Sequence, residues 1–360
     1  MLMKSIFHSY KYSKFEIFLL FLFFIILFWA IVSQVKNTGW SLWFEANELD
    51  HIGSFMGGLF ALISIFYLIK NLAEQRLITA IQSFESNYLE IVKFCRQQIE
   101  QVSIPNPDSL KKDEQQIKSR EIFNLFFFQI ENAIEYIRIF MEGKQFSDLF
   151  IDQNEYNRQF QIWGDKLKDR TFSSIAYIIT YIGVRKLNIN LLNDKYLSLY
   201  NPIYINEILE YFRKRLAQYA PEELKISRTD RLHQLEIINC NDKEYYGFQD
   251  EIGNYFRLLF QAVNYVDNQQ ILDYQEKYNY IKILRGQMSN IEEAILFYNS
   301  LCDLGLAWEY EDSKKDLITK YNLIKNIPSG LTKISLEEFY PNVYYEYIEE
   351  RPIGRKEYKN

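Results

Sequence analysis

Two long apolar runs open the chain, and periodic apolar and polar positions fill the rest. From Ile17 to Val35 no residue is charged, and most are Phe, Leu or Ile. As a helix this run would measure roughly 28 Å, close to the hydrocarbon thickness of a bilayer. A second charge-free run goes from Ile52 to Ile69 and has a similar length, about 27 Å. The pattern predicts two transmembrane helices, at about 15–35 and 52–69. A cleaved signal peptide fits poorly, because the first run is too long, lacks a clear small-residue cleavage site and is followed at once by a second run.

Charge orients this hairpin. Lys4, Lys11 and Lys14 precede the first run, and Lys70 and Arg76 follow the second. The connecting segment carries Lys36 beside Glu45, Glu48 and Asp50, and Trp29, Trp40 and Trp43 suit an interfacial belt. Both termini are therefore expected in the cytoplasm. The second run opens Gly53-Ser-Phe-Met-Gly57-Gly58. This spacing lets two helix backbones approach closely, either in self-association or against the chain's own first span.

After Ile69 the period changes. Leu77, Ile81, Phe84, Tyr88, Ile91 and Cys95 form a heptad seam, which predicts a connecting helix over 71–100. Ile104-Pro-Asn-Pro and the charged run to Lys118 read as a solvated loop. Phe123, Phe127, Ile130, Ile134, Ile137 and Met141 repeat the heptad, and this helix is expected to fold back antiparallel on the first. Helical patterns recur around Ser174–Leu187, Ile205–Tyr219 and Phe248–Val266. Near the C-terminus a helix should end at Arg285 with Gly286 as a left-handed cap. Ser289-Asn-Ile-Glu292 is a capping box for the next helix, whose Ile291, Ile295, Leu296 and Tyr298 face inward. Pro328 and Gly330 close the region. The organisation is all-α: a two-helix transmembrane hairpin (1–70), the connecting helix (71–100) and an α-helical cytoplasmic domain (101–360).

Composition changes this picture little. The 360 residues carry a net charge of -6, which argues against a nucleic-acid partner. The 17% aromatic content is spread along the whole chain, as an A/T-rich genome would produce. Cys95, Cys240 and Cys302, with His8, His51 and His233, lie too far apart for a common zinc spacing or a disulfide framework. No phosphate-binding glycine loop and no nucleophile elbow is present. Arg228-x-x-x-x-His233 has a spacing seen in some helical RNases, and Glu223-Leu-Lys225 and Asp312-Ser-Lys314 each match half of a metal-nuclease signature. Such short patterns are common by chance, so no catalytic residue, metal or cofactor is expected.

Several ordered segments together resemble a known family. They are the glycine-opened second span, Ser83-Phe84 with Glu90-Ile-Val92, Ser119-Arg120-Glu-Ile-Phe123 with Phe126-Phe127-Phe128, and Ile252-Gly-Asn-Tyr-Phe-Arg257. The clearest is Tyr280-Ile-Lys-Ile-Leu-Arg285-Gly-Gln287-Met-Ser289-Asn290, leading to Leu296-Phe-Tyr-Asn299. Leu317-Ile-x-Lys320-Tyr321 and Lys325-Asn-Ile-Pro328 complete the set. The chain resembles the phage abortive infection proteins that include the lactococcal AbiC type. Asn254 stands where that pattern has His, so the resemblance carries no histidine chemistry there. It implies bacterial defence in which the infected cell is halted or killed. The expected setting is the bacterial inner membrane, with the lipid bilayer as partner, a possible homo-oligomer through the second span and a phage-derived trigger. The cytoplasmic domain would sense infection and the hairpin would carry the toxic output. The alternatives are a membrane-tethered nuclease or a scaffold that recruits a partner. Tyr255, Arg257, Arg285, Gln287, Ser289 and Asn299 are the candidate binding cluster. Their structural alternative is to anchor a helix face and satisfy backbone groups at a helical corner.

Overall fold

The computed structural model describes residues 46–105, 116–185, 188–216, 245, 247–310 and 315–348, with single positions 21, 25, 28 and 32. It is helical, and its described strands form one short ribbon. Two compact units divide between Ile81 and Gln82.

Helix α1 runs Ala46–Gln101. In the first unit its Phe60, Leu62, Ile65, Phe66, Leu68 and Ile69 are all exposed. No face of this stretch is set apart as a polar one, as is expected of a helix that buries its surface in lipid. Among the described residues this is one helix long and apolar enough to cross a membrane. Most of the first apolar run lies outside the described residues. Its four described positions, Phe21, Ile25, Phe28 and Val32, are helical and exposed. The basic N-terminal segment and the loop tryptophans also lie outside them, as do the Arg228/His233, Glu223/Lys225 and Asp312/Lys314 patterns.

The second unit begins inside α1. Phe84, Tyr88 and Cys95 of the heptad seam are buried there. Strands β1 (Ser103–Pro105) and β2 (Gln116–Lys118) pair antiparallel, so the expected loop is pinned at its base. Helix α2 (Glu121–Phe140) buries all five of Phe123, Phe127, Ile130, Ile134 and Ile137. Its main partners are not α1, as expected, but α4 (Leu167–Ile182) and α8 (Asn290–Leu301). The reason is the available apolar surface. Helix α4 is buried nearly all round and α8 from Glu292 to Leu301, whereas α1 offers one stripe. That stripe packs on α6 (Gln249–Asp267) and α7 (Tyr274–Arg285): Phe84 stacks on Tyr265 at 5.3 Å, and the Tyr88 hydroxyl donates to the Tyr280 carbonyl at 2.6 Å. Between these lie α3 (Gln153–Trp163) and α5 (Pro202–Leu216).

Beyond residue 315 the chain is mostly irregular, with short helices α9 (Leu317–Tyr321) and α10 (Leu336–Phe339). Irregular backbone can be buried only if its polar groups find partners. Buried side chains supply them. Glu293 accepts from the Asn326 amide at 2.8 Å and from its side chain at 2.7 Å. Glu131 accepts from the Lys333 amide at 3.3 Å and from the Tyr298 hydroxyl. Glu309 accepts from the Thr319 amide at 3.1 Å. Burial pushes these carboxyls up, to about 7 for Glu131, about 8 for Glu293 and about 7 for Glu309.

Candidate functional site

The α7–α8 corner is built by local chemistry. Ser289 caps α8 by accepting from the Glu292 amide at 3.2 Å, and the Glu292 carboxylate accepts from the Ser289 amide in return. This is the capping box that the sequence predicts. Gly286 ends α7 in the right-handed region, with φ -62°, and not as the expected left-handed cap. The chain completes a further turn here, since the Gln287 and Met288 amides donate to the Leu284 and Arg285 carbonyls at 3.0 and 2.9 Å. A tightened last turn satisfies the helix-end carbonyls without a left-handed residue.

This corner faces a cleft of about 470 Å³. The opposite wall is the end of α1, with Cys95, Arg96, Ile99 and Glu100. Ser119 and Arg120 close one side, and Tyr255 and Leu259 of α6 another. The ribbon sets Arg120 in place. Ser119 takes a left-handed backbone (φ 58°), and its amide donates to the Val102 carbonyl at 3.0 Å. Arg120 then reaches across 167 residues of sequence to donate to the Gln287 carbonyl at 2.7 Å. Arg96 pairs with Glu100 at 3.0 Å, and both side chains are exposed.

Tyr255 forms the apolar floor, edge-on to Phe123 at 5.2 Å. Burial holds its hydroxyl well above the ordinary tyrosine range, and nearby Glu292 pushes the same way. Burial also raises the Cys95 thiol to about 11, so it stays protonated and is a poor nucleophile. Buried Glu292 is raised by desolvation, against its bonds to Ser289 and the pull of Arg120, and one of its oxygens has no hydrogen-bond partner. Arg120, beside an Arg96 already paired with Glu100 and over a neutral floor, can bind an anionic or hydrogen-bond-accepting group. Among the described residues no group of three His, Cys, Asp or Glu could hold a metal.

The candidate residues separate into different roles. Tyr255 and Gln287 line the cleft. Arg285 is buried and turned away, donating to the Tyr321 and Asn322 carbonyls at 2.8 and 2.9 Å. Ser289 is the helix cap, and Asn299 donates to the buried Tyr177 hydroxyl at 2.9 Å. Arg257 lies exposed and donates to Asn254 at 2.6 Å. A Cβ added at Gly57 or Gly58 would meet open space among the described residues, and most of the first apolar run lies outside them. Arg96 and Arg120 escaped the sequence reading. Arg120 stands in one of the resemblance segments, but nothing local marks a partner so distant in sequence.

No curated protein and no solved structure matches the chain. Residues 247–331 match the family described as "Putative phage abortive infection protein". That segment holds α6 to α9 and supplies Tyr255, Leu259, Leu284, Gly286, Gln287 and Met288 to the cleft. The AbiC-like resemblance is thus shown, and over these residues the chain is similar to the phage abortive infection proteins.

Proposed function

We propose that this protein is a membrane-anchored abortive infection effector, in which a cytoplasmic domain senses infection and an N-terminal hairpin carries the toxic output. The observation that carries this reading is the dual character of α1. One stretch, Phe60 to Leu72, exposes apolar side chains as a membrane span would. Its other end, Cys95 to Glu100, is a wall of the cleft whose facing wall carries the family resemblance. A trigger bound across Arg96, Arg120 and Gln287 would touch this helix directly. It could shift the packing of α1 by no more than its differential affinity for two states. The trigger chemistry that suits the cleft is an acidic or carbonyl-rich surface on a phage product.

The test separates effector from anchor. Residues 1–70 are exchanged for an unrelated two-span hairpin of the same length and topology, and membrane insertion is verified. Plating efficiency and dye-reported membrane potential are followed during infection. The proposal expects protection and depolarisation to disappear together. Full protection by the exchanged protein would leave the hairpin as an address only and favour a tethered enzyme. In parallel, Arg120→Glu should abolish protection while the protein remains folded and inserted.

A further inference from the structure

A second cleft lies where α3 meets α4, and the family segment contributes Asp303, Leu306 and Tyr310 to it. We propose that it is a nucleotide site, binding an aromatic base against Tyr310 and Trp163 and phosphates at Lys166 and Arg158.

The corner that forms it is dictated locally. Helix α3 is capped by Asp152, which accepts from the Glu155 amide at 2.8 Å, and it ends at Gly164. Gly164 has φ +56° and ψ -135°, a conformation costly for any residue with a Cβ. The chain therefore leaves α3 at Gly164, and Trp163 and Lys166 on either side of it line the same cleft. The cleft measures about 480 Å³, within the range of small-molecule sites.

One wall is aromatic. Trp163 and Tyr310 meet edge-to-face at 4.7 Å, and Tyr310 remains 36% exposed. The Tyr310 ring is fixed, because its hydroxyl donates to the Phe339 carbonyl at 3.0 Å. A rigid, partly open aromatic ring is a stacking platform for any base. Beneath it Arg170 is buried, stacks on Trp163 at 5.1 Å and donates to the Leu301 carbonyl at 3.0 Å and to Asp303 at 2.5 Å. Arg170 neutralises Asp303, which would otherwise repel a phosphate. It also leaves that half-exposed carboxylate as an acceptor for ribose hydroxyls. The other wall is basic. Lys166 has no acidic partner among the described residues, and its described contact is the Phe339 ring at 5.9 Å. Arg158 lines the cleft from its exposed edge, held by a two-pronged bond to Glu155 at 2.9 and 2.7 Å that compensates its charge. An aromatic face, the uncompensated Lys166 ammonium beside Arg158, and a neutralised acid together fit a phosphorylated nucleoside better than any one of them alone.

Calorimetric titration of the detergent-solubilised full chain tests this with ATP, adenosine and tripolyphosphate as separate probes. Saturable submillimolar ATP binding is expected, with each half-ligand at least about tenfold weaker. Lys166→Met should weaken ATP about tenfold by removing one charge-assisted contact. Tyr310→Leu should weaken it similarly. Tyr310→Phe, which keeps the ring and loses the hydroxyl's bonds to Phe339 and Tyr340, should keep most of the affinity and so separates stacking from folding. Absence of ATP binding, tripolyphosphate binding as tightly as ATP, or affinity indifferent to Lys166→Met and Tyr310→Leu would each overturn the assignment.

Discussion

Replacement of Arg285 by Ala distinguishes a fold-holding residue from a ligand-binding one. The residue is 4% exposed, and its guanidinium gives hydrogen bonds to two consecutive carbonyls, those of Tyr321 and Asn322, where α9 ends. Asn322 itself is left-handed (φ 51°), which ends the helical ladder at Tyr321, and the Asn322 carbonyl also accepts from the Lys325 amide at 3.2 Å. A hydrogen bond from a charged donor contributes roughly 1.5–3 kcal/mol, and a buried acceptor left bare costs roughly 1–3 kcal/mol. Two bonds lost together should destabilise the second unit by about 3–5 kcal/mol, allowing for partial rehydration. For a domain of this size that is a fall in Tm of roughly 10 °C. Arg285→Lys, with one compact donor group, should recover part of the loss. Differential scanning fluorimetry of the solubilised protein measures both, beside phage plating. Protection should fall only as far as folded protein falls. If Arg285→Ala melts at the parental temperature yet abolishes protection, the residue contacts a ligand and the structural argument fails.

Three further outcomes are expected. The raised carboxyls Glu131, Glu293 and Glu309 bind protons more tightly folded than unfolded, so stability should be greatest near pH 5 and decline as pH rises toward about 7 to 8. Urea midpoints at four pH values across that window check it, and a flat or rising series would be contrary. Cysteines placed at Asn47 and Lys356 report topology by membrane-impermeant labelling of intact cells: Asn47 should label and Lys356 should not, and the reverse would invert the hairpin. Replacing Gly53 and Gly57 by Ile should weaken self-association in detergent, since both glycines lie on one helical stretch and Gly57 has open space beside it among the described residues. An unchanged mass on light scattering would remove that motif.

The elements legible in the sequence are those whose cause lies within a few residues. Ser289 and Glu292 cap one another across a single turn, so the α7–α8 corner could be read before any tertiary contact was known. The apolar face of α2 follows from a heptad, because periodicity alone decides which side must leave water. The apolar run in α1 is likewise a property of composition and length. Partnership is different in kind. Whether α2 packs on α1 or on α4 depends on how much apolar surface each can offer, a sum over distant segments. The handedness of Gly286 was decided by an extra helical turn, closed by the Leu284 and Arg285 carbonyls, that permissive glycine allows either way. Arg285, Ser289 and Gln287 stand within five residues yet point to three separate duties, because each follows its own partner: Tyr321 and Asn322, Glu292, and Arg120. Both clefts depend on residues far apart in the chain, Arg120 with Gln287 and Trp163 with Tyr310. Local sequence carries the propensity of each segment, but a site is a meeting of segments, and only the packed fold settles which ones meet.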